Sequence, residues 1–229
     1  IETPKASYAA SFGVKDVPID KVDEIASYLS RFSYLSVREE SGAKIIESLT
    51  RNKPLVVLDP VFLLSREKWL SYEIRRPGLP DNYVLLYSVM GTEYSDKVAS
   101  EVAQQLKLPL IVITTGVLFR AKADLIIRDA TPQEFINIFN GAEYIVTDSF
   151  HGTAFSLIFN KQFILANNIE IKRDRPVSLL KRLGLEDRAD LQALIENIKI
   201  KIDYDKVNDL LKQQITVCKK YLIETIEDK

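Results

Sequence analysis

Tyr144-Ile145-Val146-Thr147-Asp148-Ser149-Phe150-His151-Gly152-Thr153-Ala154-Phe155-Ser156 reads as a strand, a polar turn and the opening of a helix. The strand is Tyr144 to Thr147, the helix runs from Gly152 to Phe159, and Phe163-Ile164-Leu165 makes the next strand. Short apolar runs separated by helical segments are the signature of an α/β architecture.

The same alternation continues outward. Thr131-Pro132-Gln133-Glu134 combines a capping box with Pro at the first helical position, which marks a helix start. Before it lie the strands Tyr83 to Tyr87 and Leu110 to Ile113, a helix from about Ser95 to Leu106, and the shorter apolar piece Ile126-Ile127. Arg75-Arg76-Pro77-Gly78-Leu79-Pro80 is a stiff, non-helical connector and the expected boundary. Upstream of it, Tyr34 to Val37 and Leu55 to Leu58 read as strands. Helices are expected over Ile19 to Phe32 and from about Ser41 to Leu49, and Ala6 to Ser11 is strand-like. At the other end, Val207, Leu211, Ile215, Cys218, Leu222 and Ile226 form one stripe of a long helix. That face must dock, and Cys218 on it is expected to be a packed, inert thiol. The division expected is therefore 1–76, 77–203 and a final helix over 204–229.

Composition removes several classes of function. Lys plus Arg total 31 against 32 Asp plus Glu, so the chain lacks the basic excess of a general nucleic-acid binder. One Cys excludes an internal disulfide framework, and one His excludes a multi-histidine metal site. No metal is expected. No run approaches the roughly 20 apolar residues that span a bilayer. The chain opens Ile1-Glu2-Thr3-Pro4 without a Met, which reads as a fragment of something longer.

Chemistry concentrates in the turn quoted first. Ligands of open α/β sheets bind beyond the carboxyl ends of the strands. A helix start there offers unpaired N–H groups and partial positive charge, a natural anion site. Gly152 would let the backbone come close to a ligand, Ser149 and Thr153 add hydroxyls, and the chain's only histidine, His151, adds a group that moves protons near neutral pH. The residues alone leave two readings: an anion pocket with an acid/base, or a capping histidine with no chemistry. Gly91 and Gly116 follow strands and fit either a plain turn or a ligand contact. Trp69 reads as packing under the connector rather than a sugar platform. Neither G-x-G-x-x-G nor a Walker sequence occurs.

The string Asp148 to Ser156 resembles the histidine motif of the polysaccharide pyruvyl transferases. Ser7-Tyr8-Ala9-Ala10-Ser11-Phe12-Gly13, Leu35 to Gly42 and Val57-Leu58-Asp59-Pro60 resemble the same family in the same order. So do Asp129 to Phe135, Ser178-Leu179-Leu180 and Leu183 to Arg188, so the resemblance runs from about Ser7 to Arg188. It implies two Rossmann-like lobes in a glycosyltransferase-B-like arrangement with the active site in their cleft, the amino-terminal lobe being truncated. It also implies the reaction: the enolpyruvyl group of phosphoenolpyruvate set as a ketal across two hydroxyls of a sugar or lipid-linked oligosaccharide, with no cofactor. His151 matches the family's general acid, and Arg38 matches the arginine of its Val-Arg-Glu/Asp motif, a guanidinium suited to the donor's anions. If Arg38 clamps the donor, Arg38→Ala is expected to weaken phosphoenolpyruvate binding while leaving stability within about 0.5 kcal/mol, as for an exposed side chain. The implied location is cytoplasmic, with at most peripheral membrane contact.

One departure bears on the donor. Some branches carry Arg-Leu-His where this chain has Ser149-Phe150-His151, so an arginine is missing. Arg175 is the first candidate to replace it, with Arg173 and Arg128 behind it. Two other functions stay open: a glycosyltransferase using a nucleotide sugar, and a non-catalytic anion- or sugar-binding module.

Overall fold

The computed structural model describes residues 4–14, 16–114, 122–168, 170–190 and 198–227. Its internal packing divides the chain into two units. One comprises Ile1–Leu63, Glu170–Leu183 and Asp205–Lys229, and the other Leu64–Ile169 and Gly184–Tyr204. The expected division at 76/77 thus falls inside the second unit, where the connector is tied down. Arg76 pairs with Asp129 at 2.8 Å and Glu134 at 3.3 Å, and its backbone N–H donates to Asn137.

In the first unit, β1 (Ser36–Val37) and β2 (Leu55–Val56) pair in parallel. The strand-like stretch at Ala6 to Ser11 does run alongside β1, but only through isolated bridges at Ala6 and Ala10. Between them Ala9 takes a φ of +52°, which turns the chain out of the extended conformation and splits the ladder. Helices α1 (Val22–Leu29) and α2 (Glu40–Leu49) follow the expected order. Ala43 and Ile46 of α2 join Leu35 and Val37 in a small core, with Leu29, Phe32, Phe12 and Val56 packed against it.

The second unit opens with α3 (Arg66–Leu70), a short helix capped by Ser65 that has no counterpart in the sequence reading. Then come β3 (Val84–Ser88), α4 (Glu93–Leu106), β4 (Leu110–Thr114), β5 (Leu125–Ile127), α5 (Pro132–Gly141), β6 (Tyr144–Thr147), α6 (Phe150–Ile158) and β7 (Gln162–Leu165). The strands form one parallel sheet in the order β5-β4-β3-β6-β7. Strands covered on both faces can be apolar throughout. Val84, Leu86, Leu110, Val112, Tyr144 and Val146 pack on one face with Val98, Ala99 and Val102 of α4. The other face carries aromatic rings: Tyr87 meets Phe135 and Phe139 of α5 edge-on at 5.2 and 5.4 Å. Trp69 meets Phe155 of α6 at 5.1 Å, a packing role. The chain moves from β3 outward to β5 and then returns to the opposite side of β3 for β6. The sheet's topological switch point therefore lies between the carboxyl ends of β3 and β6.

Two later helices belong to the first unit, the second of them from Asp205 onward. In α7 (Glu170–Arg182), Pro176 lies inside the helix. The stripe of α8 (Tyr204–Glu227) buries Val207, Leu211 and Cys218, half-buries Ile215 and Leu222, and leaves Ile226 exposed. Leu58 N–H donates to Cys218 Sγ at 3.2 Å, and the Tyr221 hydroxyl donates to the Ser7 carbonyl at 2.9 Å. The docking side of this helix is thus β2's continuation and the 6–10 stretch.

Candidate active site

The quoted turn sits at the switch point, where open α/β sheets hold their ligands. His151 is the second residue of α6 and is exposed, its ring edge-on to Phe150 at 5.4 Å. Ser149 is the N-cap residue, half-buried, and its hydroxyl does not cap the first turn. The start of α6 thus keeps the electrostatic preference for negative charge that an uncapped helix end has.

Gly152 and Thr153 occupy the inner side of the same turn. A Cβ at Gly152 would lie 2.0 Å from Thr147 Oγ1 and 2.9 Å from Tyr87 Cδ1, so the glycine lets α6 press against β6 and β3. Thr153 is fully buried, and its hydroxyl donates to the Ser149 carbonyl at 3.1 Å. Both residues hold the turn in shape.

Asp148 laces the site together. Only 3% exposed, its carboxylate accepts from the Ser88 hydroxyl at 2.5 Å, Val89 N–H at 2.8 Å and Met90 N–H at 3.3 Å. Its carbonyl accepts from Asn167 Nδ2, just past β7, at 3.0 Å. Tyr87, at the end of β3, has its phenol pushed up by burial and then by the Asp148 charge, with Ser149 pulling the other way. Sequence reasoning quoted Asp148 without a role and passed over Ser88, Tyr87 and Asn167. The available signal was their position, each within two residues of a strand's carboxyl end.

The arginines fall in separate units. In the first, Arg38 follows β1 and its Nη1 lies 2.6 Å from the carboxylate of Asp59, the aspartate after β2. The Arg38 side chain is 19% exposed and that of Asp59 4%, so the expectation of an exposed side chain whose removal barely affects stability is corrected. Glu39, 3.9 Å from Arg38 Nε, is buried at the N-cap of α2. Burial raises its pKa, while Ser11, Arg38 and Arg175 act to lower it. Arg175, on α7, is thereby gathered with Arg38 around one carboxylate, although 137 residues separate them in the chain. The Ser41 hydroxyl donates to Asp174, fastening α7 to the start of α2. Arg173 lies on α7 as well. Arg128 is in the second unit, exposed after the edge strand β5 and two strands away from β3. Gly91 lies in the turn after β3, where its N–H donates to Ser88 Oγ at 2.9 Å, and Gly116 is outside the described residues.

A cavity of about 490 Å³ opens elsewhere, at the amino end of β3, lined by the connector, Tyr83, Asn137 and Gly141. It does not include the motif. Among the described residues there is no group of three or more His, Cys, Asp and Glu that could hold a metal, and no helix long and apolar enough to cross a membrane.

The family model for polysaccharide pyruvyl transferases matches residues 2–169, most of the chain and all of the site in the second unit. The chain belongs to the polysaccharide pyruvyl transferase family. No curated protein matches this pyruvyl transferase family member in sequence. Among solved structures it is similar to the UDP-GlcNAc 2-epimerase of Methanocaldococcus jannaschii in complex with UDP-GlcNAc and UDP. The identity is 16% and the TM-score 0.54, over 76% of this chain and 55% of that one. The epimerase of Neisseria meningitidis bound to UDP-GlcNAc is 12% identical with a TM-score of 0.45, over 84% and 62%. The wall teichoic acid polymerase TagF, as an H444N variant, is 12% identical at 0.45, over 99% and 67%. The chain spans just over half the length of the M. jannaschii epimerase. At 16% identity the likeness to the M. jannaschii epimerase concerns the fold alone, here an α/β fold with a parallel five-strand sheet.

Proposed function

We propose that the chain carries a polysaccharide pyruvyl transferase activity: it takes the enolpyruvyl group of phosphoenolpyruvate and closes it as a ketal across two hydroxyls of a sugar in a surface-polysaccharide precursor. His151 delivers a proton to the methylene carbon of the donor. The carbon bearing the carboxylate and the phosphate ester then becomes oxocarbenium-like, and one sugar hydroxyl adds to it. Phosphate leaves with the electron pair of its C–O bond, and the second hydroxyl closes the ketal. Of the two hydroxyl protons, one restores His151 and the other leaves with phosphate.

The observation that carries this reading is an exposed His151 at the switch point of a parallel sheet, in a chain of this family. Ser149 offers the donor a neutral hydrogen bond, and the start of α6 favours its negative charge. A carboxylate and a phosphate call for guanidiniums, and Arg38 and Arg175, which both act on Glu39 within the first unit, are the candidates for that role. Gly152 and Thr153 keep α6 seated so that His151 holds its place.

The test is phosphate release from phosphoenolpyruvate by the full-length protein across a panel of sugar acceptors, beside His151→Gln. Loss of a general acid costs about 10²–10⁴ in rate, while donor affinity should change far less. Near-normal turnover in the variant would end the assignment, and loss of binding alone would make His151 a phosphate ligand. Stabilisation by a nucleotide sugar but not by phosphoenolpyruvate would favour the glycosyltransferase alternative.

A further inference from the structure

In nucleotide-binding α/β sheets the first strand-to-helix turn presents its backbone N–H groups to the ligand's phosphate. The corresponding turn in the second unit joins β3 to α4, and the N–H groups of Val89, Met90 and Gly91 in it are already taken. Val89 and Met90 donate to the Asp148 carboxylate, the Ser88 hydroxyl donates to the same group, and Gly91 N–H is taken by Ser88 Oγ. A carboxylate only accepts hydrogen bonds, so it matches these donors as an anionic ligand would.

We infer that Asp148 is a positioning residue acting as an internal anion: it fixes the β3–α4 turn in the place of a ligand phosphate and closes that turn to a nucleotide diphosphate. The consequence for specificity is direct. A donor's anionic groups must be met on the α6 side and by arginines, which suits a compact donor such as phosphoenolpyruvate better than a nucleotide sugar. This extends the function proposed above, yet its test needs no substrate and no turnover, so the two can fail separately.

The experiment is amide hydrogen exchange on the full-length protein and on Asp148→Ala, in sodium chloride, sodium formate and inorganic phosphate at equal ionic strength. Val89 and Met90 are expected to exchange at least about tenfold faster in the variant, as for a turn released from its partner. Formate or phosphate, but not chloride, should restore their protection, with β4 amides unchanged throughout. Equal protection in variant and wild type would overturn the proposal. Fast exchange that no oxyanion reverses would overturn the internal-anion role. If Asp148→Ala also loses protection in β4, Asp148→Asn keeps the volume but offers one acceptor oxygen. Unchanged protection of both turn amides in that variant would likewise overturn the proposal. Protection of the wild-type turn by added UDP would overturn the exclusion of nucleotides.

Discussion

Gly152 is a residue whose place in the sequence and whose packing give different reasons for it. After a strand and before a helix, a glycine suggests close approach of a ligand, and the sequence supports no other reason for it. The structure supplies one: the Thr147 side chain and the Tyr87 ring fill the space of its missing Cβ. Gly152→Ala is therefore expected to destabilise the protein by about 1–3 kcal/mol, the cost of overpacking a tight core. Urea unfolding measures it, and a change below about 0.5 kcal/mol would mean that α6 shifts without cost. Arg38 is the opposite case, a residue proposed for the donor that also holds structure. Arg38→Ala takes the cation away from buried Asp59, which keeps the Val61 N–H at 3.2 Å, so a loss of about 3 kcal/mol is expected, at the low end for breaking a buried ion pair. Arg38→Lys keeps the charge but not the planar fork. It should recover part of that stability while phosphoenolpyruvate affinity, read by calorimetric titration, stays roughly tenfold or more below wild type. Equal donor affinity in wild type and both variants would remove Arg38 from the donor site.

Elements were legible in proportion to how local their signals are. The helix start at Thr131 was readable because the capping box is contained in four adjacent residues, and the structure has both of its bonds. The sheet strands were readable because burial on both faces leaves unbroken apolar runs. Helix α7 was not, since Pro176 in its interior reads as a stop, and α3 is a single short turn with no periodicity to detect. The site divides in the same way. Residues in the contiguous β6–α6 turn could be named from their order, whereas the gathering of Arg175 with Arg38 depends on α7 folding onto the start of α2. That β1–α2 junction carries a pH dependence. Burial holds the folded pKa of Glu39 above its ordinary 4.5. A raised carboxyl pKa contributes stability below the unfolded value that is lost as pH rises through the folded one. In Glu39→Gln that loss is absent. The stability of the variant relative to wild type should therefore increase with pH from about 4.5 upward and level off once folded Glu39 is ionised. Denaturation midpoints across the pH series measure this, and a flat difference would show that Glu39 titrates normally.

At the scale of the whole chain, the first unit is assembled from three separated segments, and the second is interrupted by one of them. The stripe on α8 told from sequence that the helix must dock, but not where, because an apolar face does not encode its partner. Its contacts decide the matter: Cys218 against Leu58, Tyr221 against Ser7, and Gln214 against the Arg182 carbonyl at 3.4 Å, all within the first unit. The small core around Leu35, Val37, Ala43 and Ile46 lies in the same unit, whose β1–β2 pair has only two strands. Two strands are marginal without a covering element, whereas the five-strand sheet of the second unit has helices on both faces. Removing residues 205–229 should consequently unfold the first unit selectively. Hydrogen exchange is expected to show Val37 and Val57 amides losing most of their protection while Leu85, Ile111 and Ile145 keep theirs. Thermal unfolding should split into two transitions, the lower one belonging to the weakened unit. A truncated chain with Val37 still protected would show that α8 is dispensable packing, and one with Ile111 and Ile145 also unprotected would show that the two units fold as a single cooperative body.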